Sequence, residues 1–346
     1  MVNILYAVAG EGLGHAYRSI PVIEELERKK HKVIVAAGGH ALKVLEKKYK
    51  KFVKISSLNL FYHKNKVNNF MTFWMNFPRA FSIISSYFKL KKMMIEKKIQ
   101  LVITDFEPLA YYSAKAVHLP VISVANQQIE LQTYSSVPSG YKNDRFWSNF
   151  ITKNFAPKAD FYFVMSFYDA MPRSEKVFVY FPLIKKSVEK AKANDKGHIL
   201  VYQTSKSNTK LIPLLKKIDE KFIVYNFGIS KKDGNITFKK NSDVEFTKDM
   251  ASAKAVFLNG SFSVISEAIV LKKPILCEPI LGQYEQILNA VKVKEFGLGD
   301  YADHLDEDKI KDFIRNIPKY KKNLLKYKVP KKDFFAELEK VVKRVV

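Results

Sequence analysis

Cysteine is nearly missing from this chain: Cys277 is the one thiol in 346 residues. Neither a disulfide framework nor a cysteine-ligated metal site can form within one copy, and a reducing cytoplasm fits that composition. Negative charge is scarce relative to positive, with 34 acidic residues against 59 lysines and arginines and a formal net charge of +25. Lysine spread in this way predicts attraction to anionic surfaces, whether lipid, nucleotide or nucleic acid. No apolar run is long enough to span a bilayer. The opening residues, Met1 to Ala9, carry no basic leader and give way to Gly10, so a first buried strand is expected there rather than a signal peptide. No repeat of solenoid period is present. Also missing are a dinucleotide fingerprint, whose last two glycines stand three apart, and the Lys-Ser/Thr pair of a P-loop. With no RNA- or DNA-binding motif, charge alone favours a basic nucleic-acid-binding protein.

What is present points to α/β architecture. Hydrophobic residues make up 47% of the chain, enough for two domains with a core each. The stretch from Ala255 to Ala290 organises the second half. Ala255-Val-Phe-Leu258 stops at Asn259-Gly260-Ser261, and then Phe262, Ile265, Ala268, Ile269 and Leu271 recur at helical spacing. Pro274 to Pro279 begins a second strand-turn-helix unit, with a helix over Gln283 to Phe296. Gly260 to Ser263 and Gly282-Gln283 are thereby expected at the carboxyl ends of neighbouring parallel strands, where open sheets bind ligands. Unpaired N–H groups and the helix dipole favour a phosphate at the first turn, and Glu267, one turn on, is placed to accept from a vicinal diol. Helix capping by Asn259 and Ser261 would explain the same residues without a ligand.

The first half repeats the pattern. A strand over Asn3 to Ala9 leads into Gly10-Glu-Gly12-Leu-Gly14-His15 and a helix from about Ala16 to Leu26. Strands over His31–Ala37, Phe52–Ser56, Ile99–Asp105, Pro120–Ala125 and Ala159–Val164 follow, the last read as the final strand of the first domain. Asp105 falls at the same sheet edge as His15, where a carboxylate can orient an imidazole, although it could equally cap the next helix. Glu107 follows it, and Asn126 and Gln127 extend the next strand into polar residues that could line an acceptor cleft. Tyr134 to Asp144 reads as a loop. Large apolar residues recur at Phe70, Phe73, Trp74, Phe77, Phe81, Ile84 and Phe88, followed by Lys89, Lys91, Lys92, Lys97 and Lys98. Such a stripe serves either a core or an anionic lipid surface. Asp303, Asp306, Glu307 and Asp308 are read as the acidic opening of a helix rather than a metal cluster.

The ordered set Asn259-Gly-Ser-Phe-Ser-Val-Ile-Ser-Glu267-Ala268, Lys273-Pro274, Glu278-Pro279 and Gln286-x-x-Asn289-Ala290 resembles the donor-binding region of GT-B glycosyltransferases. The similarity is in the style of the peptidoglycan lipid-precursor N-acetylglucosaminyltransferase and UDP-glycosyltransferase families. It implies two Rossmann-like doubly wound domains facing across a cleft: residues 1–166 on the acceptor side, a linker over 167–196, a nucleotide-sugar domain over 197–329, and a last helix over 330–346 returning to the first domain. It implies an inverting, metal-independent transfer of the sugar of a UDP-sugar to a hydroxyl acceptor that could be lipid-linked. No cofactor beyond the nucleotide-sugar and no metal is expected. On the resemblance, the diphosphate lies at Gly260, Ser261, Phe262 and Ser263 beside Asn259, approached by Gly12 and Gly14. Thr204 and Ser205 offer further hydroxyls, Phe246 contacts the base, and Glu267 holds the ribose. The sugar lies near Gln283, Glu285 and Gln286, where many relatives have a histidine or aspartate in place of Glu285. His15 is the catalytic base with Asp105 as its partner, and Glu107, Asn126 and Gln127 face the acceptor. A UDP-N-acetylglucosamine 2-epimerase-like enzyme shares this architecture and is the alternative.

Overall fold

The computed structural model describes residues 1–346 except 58–60, 64, 68, 157, 205–206 and 331; the side chains of 62, 63, 67, 69, 70, 72 and 73 also lie outside the description. The first sheet has seven parallel strands in the spatial order Val177–Tyr180, Phe161–Met165, Val121–Ala125, Leu101–Asp105, Asn3–Val8, Lys32–Ala37, Phe52–Lys54. Central strands such as Ile4–Val8 and Leu101–Asp105 are buried throughout, which is why they read as continuous apolar runs rather than alternating ones. The strand order reverses between Asn3–Val8 and Leu101–Asp105, and that switch point is where His15 and Asp105 emerge.

The second sheet also has seven strands, in the order Lys231–Asp233, Ile236–Lys239, Lys221–Tyr225, His198–Tyr202, Ala255–Leu258, Ile275–Cys277, Gly299–Tyr301. All pairings are parallel except the hairpin between Lys231–Asp233 and Ile236–Lys239. Its switch point lies between His198–Tyr202 and Ala255–Leu258, so the turn at 203–204 and the turn at Asn259-Gly260 open side by side. Two Rossmann-like units therefore present their switch points, and the doubly wound GT-B arrangement implied by the resemblance is the one observed.

Several boundaries differ from the sequence reading. Val177–Tyr180, assigned to the linker, is the edge strand of the first sheet. The expected loop over Tyr134 to Asp144 instead runs into a helix, Lys142–Phe155. The stripe of large apolar residues forms two helices, Asn69–Asn76 and Ala80–Glu96, joined by a 3-10 turn at Phe77–Arg79 around Pro78. The final helix, Phe334–Val345, packs beside the first sheet: Phe334 lies edge-on against Phe163 and Tyr180, and His31 Nε2 lies 3.0 Å from Glu339.

The two domains touch at several points. Asn65, on a hairpin turn of the first domain, donates to the Pro279 carbonyl at 3.2 Å and accepts from Leu281 N at 3.0 Å. Tyr17 of the first domain reaches Asp243 of the second.

Candidate active site

The first glycine turn leads straight into the helix Gly14–Arg28, with His15 in its first turn. Gly12 adopts φ +75°, a left-handed conformation that a side chain resists. His15 is 12% exposed and its Nδ1 stands 2.8 Å from Asp105 Oδ1, so the carboxylate at the strand end meets the imidazole. Phe106, the residue after the strand, stacks against the ring at 6.5 Å between centroids. Asp105 is fully buried and accepts from Arg18 Nε at 2.7 Å, from Arg18 Nη2 and from Ser19 Oγ at 3.1 Å. Burial alone would raise its pKa; Arg18 and His15 outweigh that and hold it at about 2. Arg18 escaped the sequence reading, though its position one helical turn after His15 puts it on the same helix face.

Asn126 and Gln127 line the other side of His15. Gln127 Nε2 is 3.4 Å from His15 Nε2 and donates to Glu285 Oε2 at 2.9 Å, and Asn126 Nδ2 donates to Glu285 Oε1 at 2.8 Å. Glu285, expected beside the donor sugar, thus crosses the cleft to the acceptor-side pair. Gln283 reaches Glu11 of the first domain at 3.4 Å.

Across the cleft, the helix Phe262–Val270 begins behind Ser261 with no side chain capping it. Gly260 has φ +90°, and a Cβ there would lie 2.5 Å from the Gln286 carbonyl oxygen. A Cβ on Gly14 would lie 2.9 Å from Ser263 Oγ, so the two glycine turns meet face to face. Glu267 is 4% exposed; burial raises its pKa, opposed by Lys185 at 3.6 Å. Lys185 also pairs with Asp243 at 3.3 Å and lies 4.1 Å over the Tyr17 ring. Neither Lys185 nor Asp243 carries a sequence signal for this role beyond its charge.

Five expected site residues have other duties. Glu107 caps the helix Pro108–Lys115, accepting from Leu109 N and Ala110 N, and is buried. Phe246 sits on the helix Asp243–Ser252, packed between Tyr202 and Tyr225 at 5.4 and 5.1 Å. Phe262 is buried against Phe167, leaving its backbone alone at the helix start. Asn259 is fully buried, its amide tying Thr204 N at 2.7 Å to the Glu278 carbonyl at 2.9 Å. Gln286 turns inward to accept from Ile280 N at 3.1 Å. Thr204 leaves its hydroxyl buried without a partner, and Ser205 lies outside the described residues. Asp306 caps the helix Glu307–Lys326 by accepting from Lys309 N, the role read for that acidic cluster.

Away from the cleft, Trp74, Phe77, Phe81, Ile84 and Phe88 point outward, Phe81 at 86% exposure. Phe70 and Phe73 of the same stripe have side chains outside the description. Phe146, Trp147, Phe150 and Ile151 are exposed on Lys142–Phe155. The helix Pro108–Lys115 lies between, bonded to one neighbour through Ser113 and the Tyr87 carbonyl and to the other through Tyr112 and the Asn154 carbonyl. Among the described residues no helix is long and apolar enough to cross a membrane.

The sequence profile of glycosyl transferase family 1 matches residues 2–318. Among curated proteins, none matches by sequence. Solved structures are similar over the whole length: MurG of Acinetobacter baumannii at 14% identity and TM-score 0.65, covering 99% of this chain and 100% of that one. Phytolacca americana UGT2, complexed with UDP-2fluoro-glucose and pterostilbene, is 12% identical at TM-score 0.67, with 99% of each chain covered. Spinosyn forosaminyltransferase SpnP is 13% identical at TM-score 0.67, again with 99% of each covered.

Proposed function

Because the chain belongs to glycosyl transferase family 1 and is a GT-B glycosyltransferase, we propose that it moves a sugar from a UDP-sugar to a hydroxyl acceptor by direct, inverting displacement. His15 Nε2 takes the proton of the acceptor hydroxyl, whose oxygen bonds to the anomeric carbon. The bond from that carbon to the β-phosphate oxygen breaks, and its electron pair leaves with the UDP. The uncapped start of Phe262–Val270 offers N–H groups and a positive dipole end to the charge that develops there. No step in this scheme requires a metal ion.

The observation that carries this reading is the opposition of a His15–Asp105 pair, 2.8 Å apart, to that helix start across meeting glycine turns. Uridine is supported by the bound UDP-2fluoro-glucose of the Phytolacca relative and by the ordered donor motif. The exposed aromatic helices, with Lys89, Lys92, Lys97 and Lys98 exposed beside them, support an anionic lipid surface and a lipid-linked acceptor. The test is UDP release from UDP-sugars offered with hydroxyl acceptors, with the product anomer read by NMR. Inversion, insensitivity to chelators and a loss of about two to four orders of magnitude in kcat for His15→Ala, the range for a missing general base, are expected. A retained anomer, or full activity in His15→Ala, rejects the scheme.

A further inference from the structure

The Arg18 guanidinium reaches four side chains beside the cleft, those of Asp105, Asn126, Gln127 and His15, and nothing in the scheme above uses it. A guanidinium has five N–H donors, no acceptor and a permanent charge. Nε donates to Asp105 Oδ2 at 2.7 Å, Nη1 to Asn126 Oδ1, and Nη2 both to Asp105 Oδ1 and toward Gln127 Oε1 at 3.4 Å. Nη2 also approaches His15 Nδ1 to 2.7 Å. Nη2 cannot accept, so the acceptor open to an Nδ1–H is Asp105 Oδ1, and the Gln127 amide nitrogen facing Nε2 is itself a donor that requires a lone pair there. The network therefore assigns the imidazole proton to Nδ1, which donates to Asp105 Oδ1 at 2.8 Å. The lone pair falls on Nε2, facing the Gln127 amide at 3.4 Å.

Asp105 accordingly accepts two donors from Arg18 and one each from His15 and Ser19, which fills a carboxylate's acceptor sites. The charged groups around His15 are Arg18 on its own helix, Asp105 at the strand end, and Glu285 of the second domain behind Asn126 and Gln127. A buried Asp105 with no counter-charge would favour imidazolium, whose Nε2 is already protonated and cannot accept the hydroxyl proton. A guanidinium at 2.7 Å opposes that second charge.

We propose that Arg18 is a positioning residue: acting through Asp105, it keeps His15 in the form with Nδ1 protonated and Nε2 free. This rests on His15 being the base, a premise that full activity in His15→Ala would remove independently.

The test is the pH profile of kcat/KM for Arg18→Met and Arg18→Lys, measured with the full chain. Arg18→Met should lose activity at neutral pH and recover toward the wild type as pH rises, its acid limb displaced upward by about one unit or more, as expected when a neighbouring opposing charge is removed. Arg18→Lys keeps the charge and should follow the wild-type limb, at a lower plateau because a lysine cannot fork across both carboxylate oxygens. Donor KM should change little in either. A profile for Arg18→Met that runs parallel to the wild type at every pH overturns the proposal. Should Arg18→Met fail to fold, because it strands a buried carboxylate, the double variant Arg18→Met/Asp105→Asn is compared with Asp105→Asn. Equal activities support action through Asp105; a further tenfold loss overturns it.

Discussion

Removing the carboxylate of Glu267 should abolish recognition of the ribose, and the size of the effect follows from what surrounds it. Glu267 is 4% exposed and pairs loosely with Lys185 at 3.6 Å, a lysine it shares with Asp243. A ribose diol would replace that loose pairing with two charge-assisted hydrogen bonds, each worth about 1.5–3 kcal/mol before the lost lysine contact is deducted. A net of about 2.7 kcal/mol corresponds to a hundredfold change in Kd. At UDP a hundredfold above its Kd, the wild type gains about 2.7 kcal/mol. If the 346 residues melt as one unit, an unfolding entropy of about 2.1 cal/mol/K per residue converts this to a Tm increase of about 4 °C. At the same UDP concentration Glu267→Ala should gain only about 0.4 kcal/mol, less than one degree. Differential scanning fluorimetry with UDP and dTDP checks this, since dTDP lacks the 2′-hydroxyl and should shift the wild type less. An undiminished UDP shift in Glu267→Ala would refute the ribose assignment, and equal shifts with dTDP would restrict it to the 3′-hydroxyl.

The exposed aromatic helices predict that the wild type cosediments with vesicles containing anionic phospholipid and not with neutral ones, and that Phe81→Ser/Phe88→Ser weakens this while leaving UDP binding intact; equal recovery on neutral vesicles would remove the lipid surface. Burial pushes the Glu107 carboxyl from 4.5 to about 7, against the two backbone N–H groups it accepts. Its folded pKa lies above the unfolded one, so the folded state binds the extra proton between those values and stability falls as pH rises from 4.5 to about 7, by about 3 kcal/mol in all. Glu107→Gln keeps an acceptor without the titration, so urea denaturation should show the variant gaining on the wild type across that interval, and a constant difference would contradict it.

Strands were the most legible part of this sequence, because parallel strands covered on both faces are nearly unbroken apolar runs. The helix Lys142–Phe155 is hard to read from sequence because its large residues, Phe146, Trp147, Phe150 and Ile151, face outward, so their i, i+3, i+4 spacing marks no buried face. The helix carrying Phe246 had a readable start in Ser242-Asp-Val-Glu245, a capping-box pattern, and Ser242 Oγ does accept from Glu245 N. Glu107 before Pro108 likewise matches a cap followed by proline at the first helical position. Both caps are local signals that need no family analogy to be read. Arg18 is a different kind of omission: helical spacing puts it beside His15, but only the folded chain brings Asp105, 87 residues away, into its fork.

Gly14 shows why the cleft could not be drawn from motifs alone. The resemblance assigned it to the donor diphosphate, as a glycine that lets backbone approach phosphate. In the fold its missing side chain faces Ser263, whose hydroxyl would stand 2.9 Å from a Cβ at position 14. The glycine thus serves the approach of the two domains as much as that of a ligand. That approach aligns the start of Gly14–Arg28, which carries His15, with the start of Phe262–Val270, where the proposed scheme puts the leaving diphosphate. Each motif specifies its own turn; in the proposed scheme, the distance between base and leaving group is set by how closely the two turns can pack.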